Sequence, residues 1–235
     1  MTPTQRLART AGLYYLLVAV LGAFAHIVRA VVYVPGDATT TAARVVENAA
    51  LVRYSVVADL VQATFLVFVV LALHRLLRHV DARVARAMVL FVVIAVAMIT
   101  LNMVHQFGAL LVATDPSYAA ALGADGADSL VMVLMDLQHY GYLIAQIFFG
   151  LWLFPLGVLA WRSGMFPRAI AAVLIAASTG YLVDVLLQFL APTAADVVNP
   201  ALVSLFILAE GSLLVFLLAK GVLNRQPAGR VLVDA

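Results

Sequence analysis

Asp136 and His139 stand three residues apart at the head of an apolar stretch, DLQHYGYLIAQIFFGLWLFPLGVLAW at 136–161. On a helix that spacing puts a carboxylate and an imidazole on one face, with Tyr142 continuing the stripe and Gln146 one turn beyond. An acid beside a histidine can move a proton or hold a cation. Other apolar stretches carry Asp59, Asp184 and Glu210, the arginines Arg29 and Arg53, and the histidines His26 and His105. Ionisable groups inside a lipid-crossing helix are costly, so they are expected to face a protein interior or a wet cavity.

These residue types admit several chemistries. A cluster of Arg29, Arg53, Asp59, Asp136, His139, Asp184 and Glu210 suits a small or amphipathic ligand, or an ion, with proton coupling. No cofactor is expected from the sequence. Zinc stays compatible with it, and if a metal is present its candidate ligands are His26, His105 and His139, with Asp136 or Asp59 beside them. Zinc held that way activates water, which would make the protein an intramembrane hydrolase of a lipid-like substrate. A metal-free enzyme would use Asp59, Glu210 and His139 as acid and base. Haem stays compatible too, with His105 and His139 as axial ligands. A structural or partner-binding membrane subunit needs none of these. No GxSxG elbow and no phosphate-cradling glycine loop is present. Cysteine is absent, so disulfides and thiolate metal sites are excluded.

The elements that must position these side chains follow from composition. Of 235 residues, 65% are hydrophobic and only 11% charged, whereas a soluble domain is about half apolar and a quarter charged. Six apolar runs each exceed the roughly 20 residues a bilayer requires. They cover about 11–34, 51–77, 86–113, 129–161, 168–191 and 200–223. The first follows Arg6 and Arg9 as a signal peptide would, but it is too long for one and is expected to be retained. Nothing alternates with period two, so a β-barrel is not expected. The reading is an all-α, polytopic membrane helix bundle, a single six-helix transmembrane domain over 1–223 and a short cytoplasmic tail over 224–235. The lipid bilayer is its first partner. The scattered basic residues give no nucleic-acid footprint, and oligomeric state is not set by the sequence.

The connections alternate in charge. Arg6, Arg9, Arg75, Arg78, Arg83, Arg86, Arg162, Arg168, Lys220, Arg225 and Arg230 fall on one side, eleven of the fourteen basic residues. Asp37, Glu47, Asp115, Asp125, Asp128 and Asp196 fall on the other. The positive-inside rule then puts both termini in the cytoplasm, with the bacterial inner membrane as the expected location. The segment TTTAARVVENAA is expected as a short interfacial helix with a threonine cap, Asp128 as the cap of the fourth span, and Pro192 and Pro200 as the brackets of the last outer loop.

Counting helical rise from these boundaries places Asp59 about 12 Å, Asp136 about 10 Å, His139 and Glu210 about 15 Å and Asp184 about 6 Å below the outer surface. His26, Arg29, Asn102, His105 and Gln106 also fall in the outer half, over a nearly featureless inner half. Four acids cannot all be neutralised by two arginines, so at least one is expected to hold its proton. Asn102, Gln62 and Gln188 are expected to bridge helices. Asp59, His139, Asp184 and Glu210 are expected to converge, with Arg29 or Arg53 as counter-ion.

The chain resembles a bacterial six-pass integral membrane family catalogued as domain of unknown function 4386. The likeness rests on RTAGLYYLL at 9–17, Arg29 with VPGDA at 34–38, RYSVVAD at 53–59, the long stretch at 139–175, GYLVD at 180–184 and Glu210. It implies an all-helical membrane fold and no activity. Arg29, Arg53, Asp59, His139, Asp184 and Glu210 match the family's pattern. His26 and His105 lie outside it, which weighs against a three-histidine metal site.

Overall fold

In lipid, every backbone N–H and C=O must be satisfied within its own segment, which leaves the helix as the conformation for isolated apolar runs. The computed structural model describes residues 2–223, and among them the regular structure is entirely helical. The expected tail over 224–235 lies outside the described residues. In chain order the helices are α1 (Pro3–Val32), α2 (Ala38–Glu47), α3 (Ala49–Leu77), α4 (Ala82–Thr114), α5 (Pro116–Leu122), α6 (Ala124–Ser163), α7 (Arg168–Leu190) and α8 (Pro192–Ala219). Six of them, α1, α3, α4, α6, α7 and α8, are long and apolar enough to cross a membrane. The expected all-α, six-span architecture is the one observed. Leu101 and Ile207, in α4 and α8, are 70% and 68% exposed; on a spanning helix such residues form a lipid-facing surface.

Helix ends differ from the sequence reading in four places. The cap of α2 is Asp37: its Oδ1 accepts the Thr40 N–H at 2.9 Å and its Oδ2 the Thr40 hydroxyl at 2.7 Å. The extended backbone at Asp37 aims a short carboxylate at those donors, so the cap falls two residues before the first threonine, Thr39. The short α5 was not foreseen; Asp115 caps it by accepting from Ser117 N–H, with Pro116 at its first position. Asp128 lies inside α6, because Gly123 (φ 76°) turns the chain five residues earlier and the helix starts at once. The eighth helix begins at Pro192, where a proline sacrifices no helical bond, and runs through Pro200, which removes one.

The bonds from Thr40, its hydroxyl first, hold the Asp37 carboxyl below its ordinary value of 3.8. A carboxylate depressed on folding stabilises above its ordinary value, and that contribution is lost as pH falls toward the depressed one. Protection of the Thr40 amide, corrected for intrinsic exchange, is therefore expected to be constant above pH 3.8 and to decline below it. Hydrogen exchange across an acid titration checks this; a decline that begins above the carboxylate range would contradict the cap.

Two compact units are present, and α1, α3, α4 and α6 contribute residues to both. The first holds residues up to Gly12, Leu71–Val89 and those from Gly150 onward. Trp152, Leu156, Leu174 and Leu213 are fully buried in it, and α7 packs along α8. Arg9 Nη2 donates to the Ala219 carbonyl at 3.0 Å, covering a carbonyl at the end of α8, and Gly221 (φ 76°) turns the chain just beyond. Leu223 N–H donates to the Met165 carbonyl at 2.9 Å. The second unit holds Leu13–Val70 and Leu90–Phe149. Its core joins Val28 and Val32 of α1, Val45 of α2, Val52 of α3, Leu110 of α4, and Val131 and Met135 of α6. Around that core lie most of the polar side chains singled out above.

Candidate functional site

Helical spacing collects the polar groups of the second unit. On α3, Ser55, Asp59 and Gln62 recur at i, i+4 and i+7 and are all buried. On α4, Asn102 and Gln106 are buried one turn apart. Tyr33, just past the end of α1, stands four residues after Arg29, and on α6 Asp136 and His139 stand three apart.

One network forms around Asp59. Arg29 Nη1 pairs with Asp59 Oδ2, and Gln62 Nε2 donates to Asp59 Oδ1 at 2.9 Å. The Asp59 side chain is fully buried and that of Arg29 only 10% exposed. Arg29 Nη1 also lies 3.5 Å from Gln106 Oε1. Gln106 Nε2 donates to Ser55 Oγ at 2.7 Å, and the Ser55 hydroxyl donates to the Val52 carbonyl at 2.8 Å. The Arg29 guanidinium sits 5.3 Å from the ring centre of Tyr142. Gly22 makes room: a Cβ there would strike Gln62 Oε1.

A second group forms around Tyr33. Its hydroxyl donates to Asp136 Oδ1 at 2.5 Å, and its ring stacks on His139 with centroids 5.6 Å apart. Tyr140 meets His139 edge-on at 5.3 Å. Asp136 is half-buried, whereas His139 and Tyr140 are exposed. Nearby on α4 and α6, Asn102 Nδ2 donates to the Gln138 carbonyl at 2.7 Å, and Asn102 Oδ1 lies 2.9 Å from His105 Nδ1. Both contacts fit if His105 carries its proton on Nδ1.

Asp184 and Glu210 belong to the first unit, and each has a neutral partner there. Asp184, 2% exposed, accepts from Asn199 Nδ2 at 3.0 Å. Glu210 Oε1 accepts the Tyr181 hydroxyl at 2.7 Å, and the Tyr181 ring stacks on Phe206 at 3.7 Å.

The candidate residues are thus brought together in part. Arg29 and Asp59 meet, and Asp136 and His139 share Tyr33. Arg53 is exposed on α3, so of the two candidate counter-ions it is Arg29 that reaches Asp59. His26 is exposed on α1. Among the described residues no three His, Asp or Glu side chains converge as metal donors, so His26, His105 and His139 do not form a ligand set. Ser55, Tyr33 and Gly22 were not singled out by sequence reasoning. A signal was present for two of them: Tyr33 lies one turn after Arg29, and Ser55 one turn before Asp59.

Comparison with known proteins places these residues in a wider group. A family described as "Domain of unknown function (DUF4386)" matches residues 10–221. An "Uncharacterized protein" of Archaeoglobus fulgidus is 31% identical over 138 residues, which is 58% of this chain and 68% of the relative. No solved structure matches.

Proposed function

The chain belongs to the DUF4386 family of multi-pass membrane proteins, and from that premise we propose that it binds a small amphipathic cation at Asp136. We place it in the bacterial inner membrane with its basic connections on the cytoplasmic side, as the charge asymmetry supports.

One observation carries this reading. Arg29 neutralises Asp59, whereas Asp136 has a phenol for a partner and no ion pair with a described residue. A half-buried carboxylate without a cation is a costly group in a spanning helix. Around it stand the rings of Tyr33, His139 and Tyr140, and aromatic faces attract cations where water is scarce. A ligand with one positive charge and an apolar body answers both features.

Tetraphenylphosphonium is a suitable probe. Added to the full chain in nanodiscs, it is expected to raise the melting temperature. Asp136→Asn keeps an acceptor for Tyr33 and is expected to fold, while its affinity for the probe falls about tenfold or more, the ~2 kcal/mol of a charge–charge attraction across a bulky cation at an effective dielectric of about 20. An Asp136→Asn protein that responds as the parent does would refute the site.

A further inference from the structure

At the basic end of the first unit, a cavity of about 460 Å³ opens beside the first turn of α1. Thr4 and Leu7 line it from α1, Arg75, Leu76 and His79 from the end of α3, and Met165 from the α6–α7 connection. Every one of these residues lies at or near the end of a span, which is the depth of lipid headgroups rather than of acyl tails. The wall is mixed: Leu7, Leu76 and Met165 are apolar, Arg75 is a cation, and His79 is a donor. Arg75 and His79 are exposed, and neither side chain has a hydrogen bond or ion pair with a described residue.

Two more features give this end its character. Thr2 and Gln5 cap α1 reciprocally: Gln5 N–H donates to Thr2 Oγ1 at 3.2 Å, and Thr2 N–H donates to Gln5 Oε1 at 3.1 Å. The positive end of the α1 dipole therefore points toward the cavity side of the chain. In the same unit, the Arg168 guanidinium lies 5.7 Å from the ring of Trp161, which is 46% exposed. An exposed tryptophan joined to an arginine is the pairing that anchors a helix at the membrane–water boundary.

We propose that this cavity is a binding site for the headgroup of an anionic phospholipid, with Arg75 and His79 donating to its phosphate. Leu7, Leu76 and Met165 receive the glycerol and the start of the acyl chains. A cation without a partner, at headgroup depth, beside an apolar wall, matches the two halves of such a lipid. The site is separate from Asp136 and takes the opposite charge.

The test uses the full chain in phosphatidylcholine micelles titrated with phosphatidylglycerol, read by melting temperature and by native mass spectrometry of retained lipid. Phosphatidylglycerol is expected to stabilise the parent. Arg75→Gln is expected to weaken that binding about fivefold, and adding His79→Gln to weaken it further, with melting in phosphatidylcholine alone unchanged. Arg83→Gln, which removes an exposed charge outside the cavity, is expected to lose less than Arg75→Gln. Equal affinity in parent and Arg75→Gln overturns the proposal. So does an equal loss in Arg83→Gln, which would mean a diffuse basic surface. Inorganic phosphate that stabilises as well as the lipid would mean a soluble-anion site and also overturns it. Should Arg75→Gln not fold, Arg75→Lys is expected to retain binding and His79→Gln alone to weaken it; the reverse order overturns the proposal.

Discussion

Asp59→Ala is expected to destabilise the protein by about 3–5 kcal/mol, the cost of leaving one member of a buried ion pair alone. The substitution strips Arg29 of its counter-ion inside a spanning segment, where its remaining neighbours are the Gln106 amide and the Tyr142 ring. It also leaves Gln62 Nε2 without its acceptor. The double variant Arg29→Met/Asp59→Leu is expected to behave differently. Removing both charges removes both desolvation costs, and such replacements are neutral or stabilising by about 1–4 kcal/mol. Unfolding of the purified proteins in one micelle type compares them directly. A double variant as damaged as the single would mean that the pair holds the second unit together, rather than being carried by it. A double variant that folds well isolates the next question, whether tetraphenylphosphonium still binds when Asp136 is intact and the neighbouring pair is gone.

Gly157→Ala is expected to cost about 1–3 kcal/mol, the range for forcing an extra methyl into a packed interior. A Cβ at Gly157 would meet Ile175 Cγ1 at 2.7 Å, the Ala171 carbonyl oxygen at 3.0 Å and the Ile175 nitrogen at 3.2 Å. Two of those three atoms are backbone, so α7 itself would have to move. Gly150, two turns earlier on α6, faces α7 in the same way: a Cβ there would lie 2.9 Å from the Ser178 carbonyl oxygen. Small residues that let two helix backbones approach are what hold spanning helices together where lipid offers no hydrophobic drive. Gly211→Ala is the contrasting case. Nothing lies within 4 Å of a Cβ there, so the gain in helix propensity stands uncancelled and stability is expected to rise by about 0.5–1 kcal/mol. The same micelle unfolding experiment reads both, and a Gly157→Ala protein as stable as Gly211→Ala would refute the close approach.

The six spans were legible because lipid imposes one demand everywhere: a long run of apolar side chains with its backbone satisfied within itself. The ends were less legible, because capping depends on which short side chain the backbone happens to aim. Asp37 rather than a threonine caps α2, and Asp128 caps nothing. Pro200 misled most, since a proline deep in a run reads as a boundary; α8 tolerates it at the loss of a single bond. Within the candidate site, helical spacing put Asp136 and His139 on one face of α6, and both contact Tyr33. Spacing could not choose between Arg29 and Arg53 as the partner of Asp59, because that depends on how α1 and α3 are rotated about their axes. A hydrophobic pattern as nearly uniform as α3's records that rotation only faintly. Tyr33 escaped notice because a tyrosine near a span boundary reads as an interface anchor, and its hydroxyl reaches a carboxylate on another helix instead.

The contact between Arg9 and Ala219 bears on the order in which the chain is made. The second unit is drawn entirely from residues before 150, so all its parts exist while the last two spans are still untranslated. The first unit cannot close on the same schedule. Arg9 must wait for a carbonyl 210 residues later, and Gly12 for the backbone at Leu217. Local groups assemble as they emerge, whereas contacts across so many residues form late. During synthesis, then, the amino-terminal turns of α1 can meet the end of α3 early but spend most of the elongation time without α8. A stop codon anywhere before the end of α8 would leave Arg9 without its Ala219 acceptor permanently.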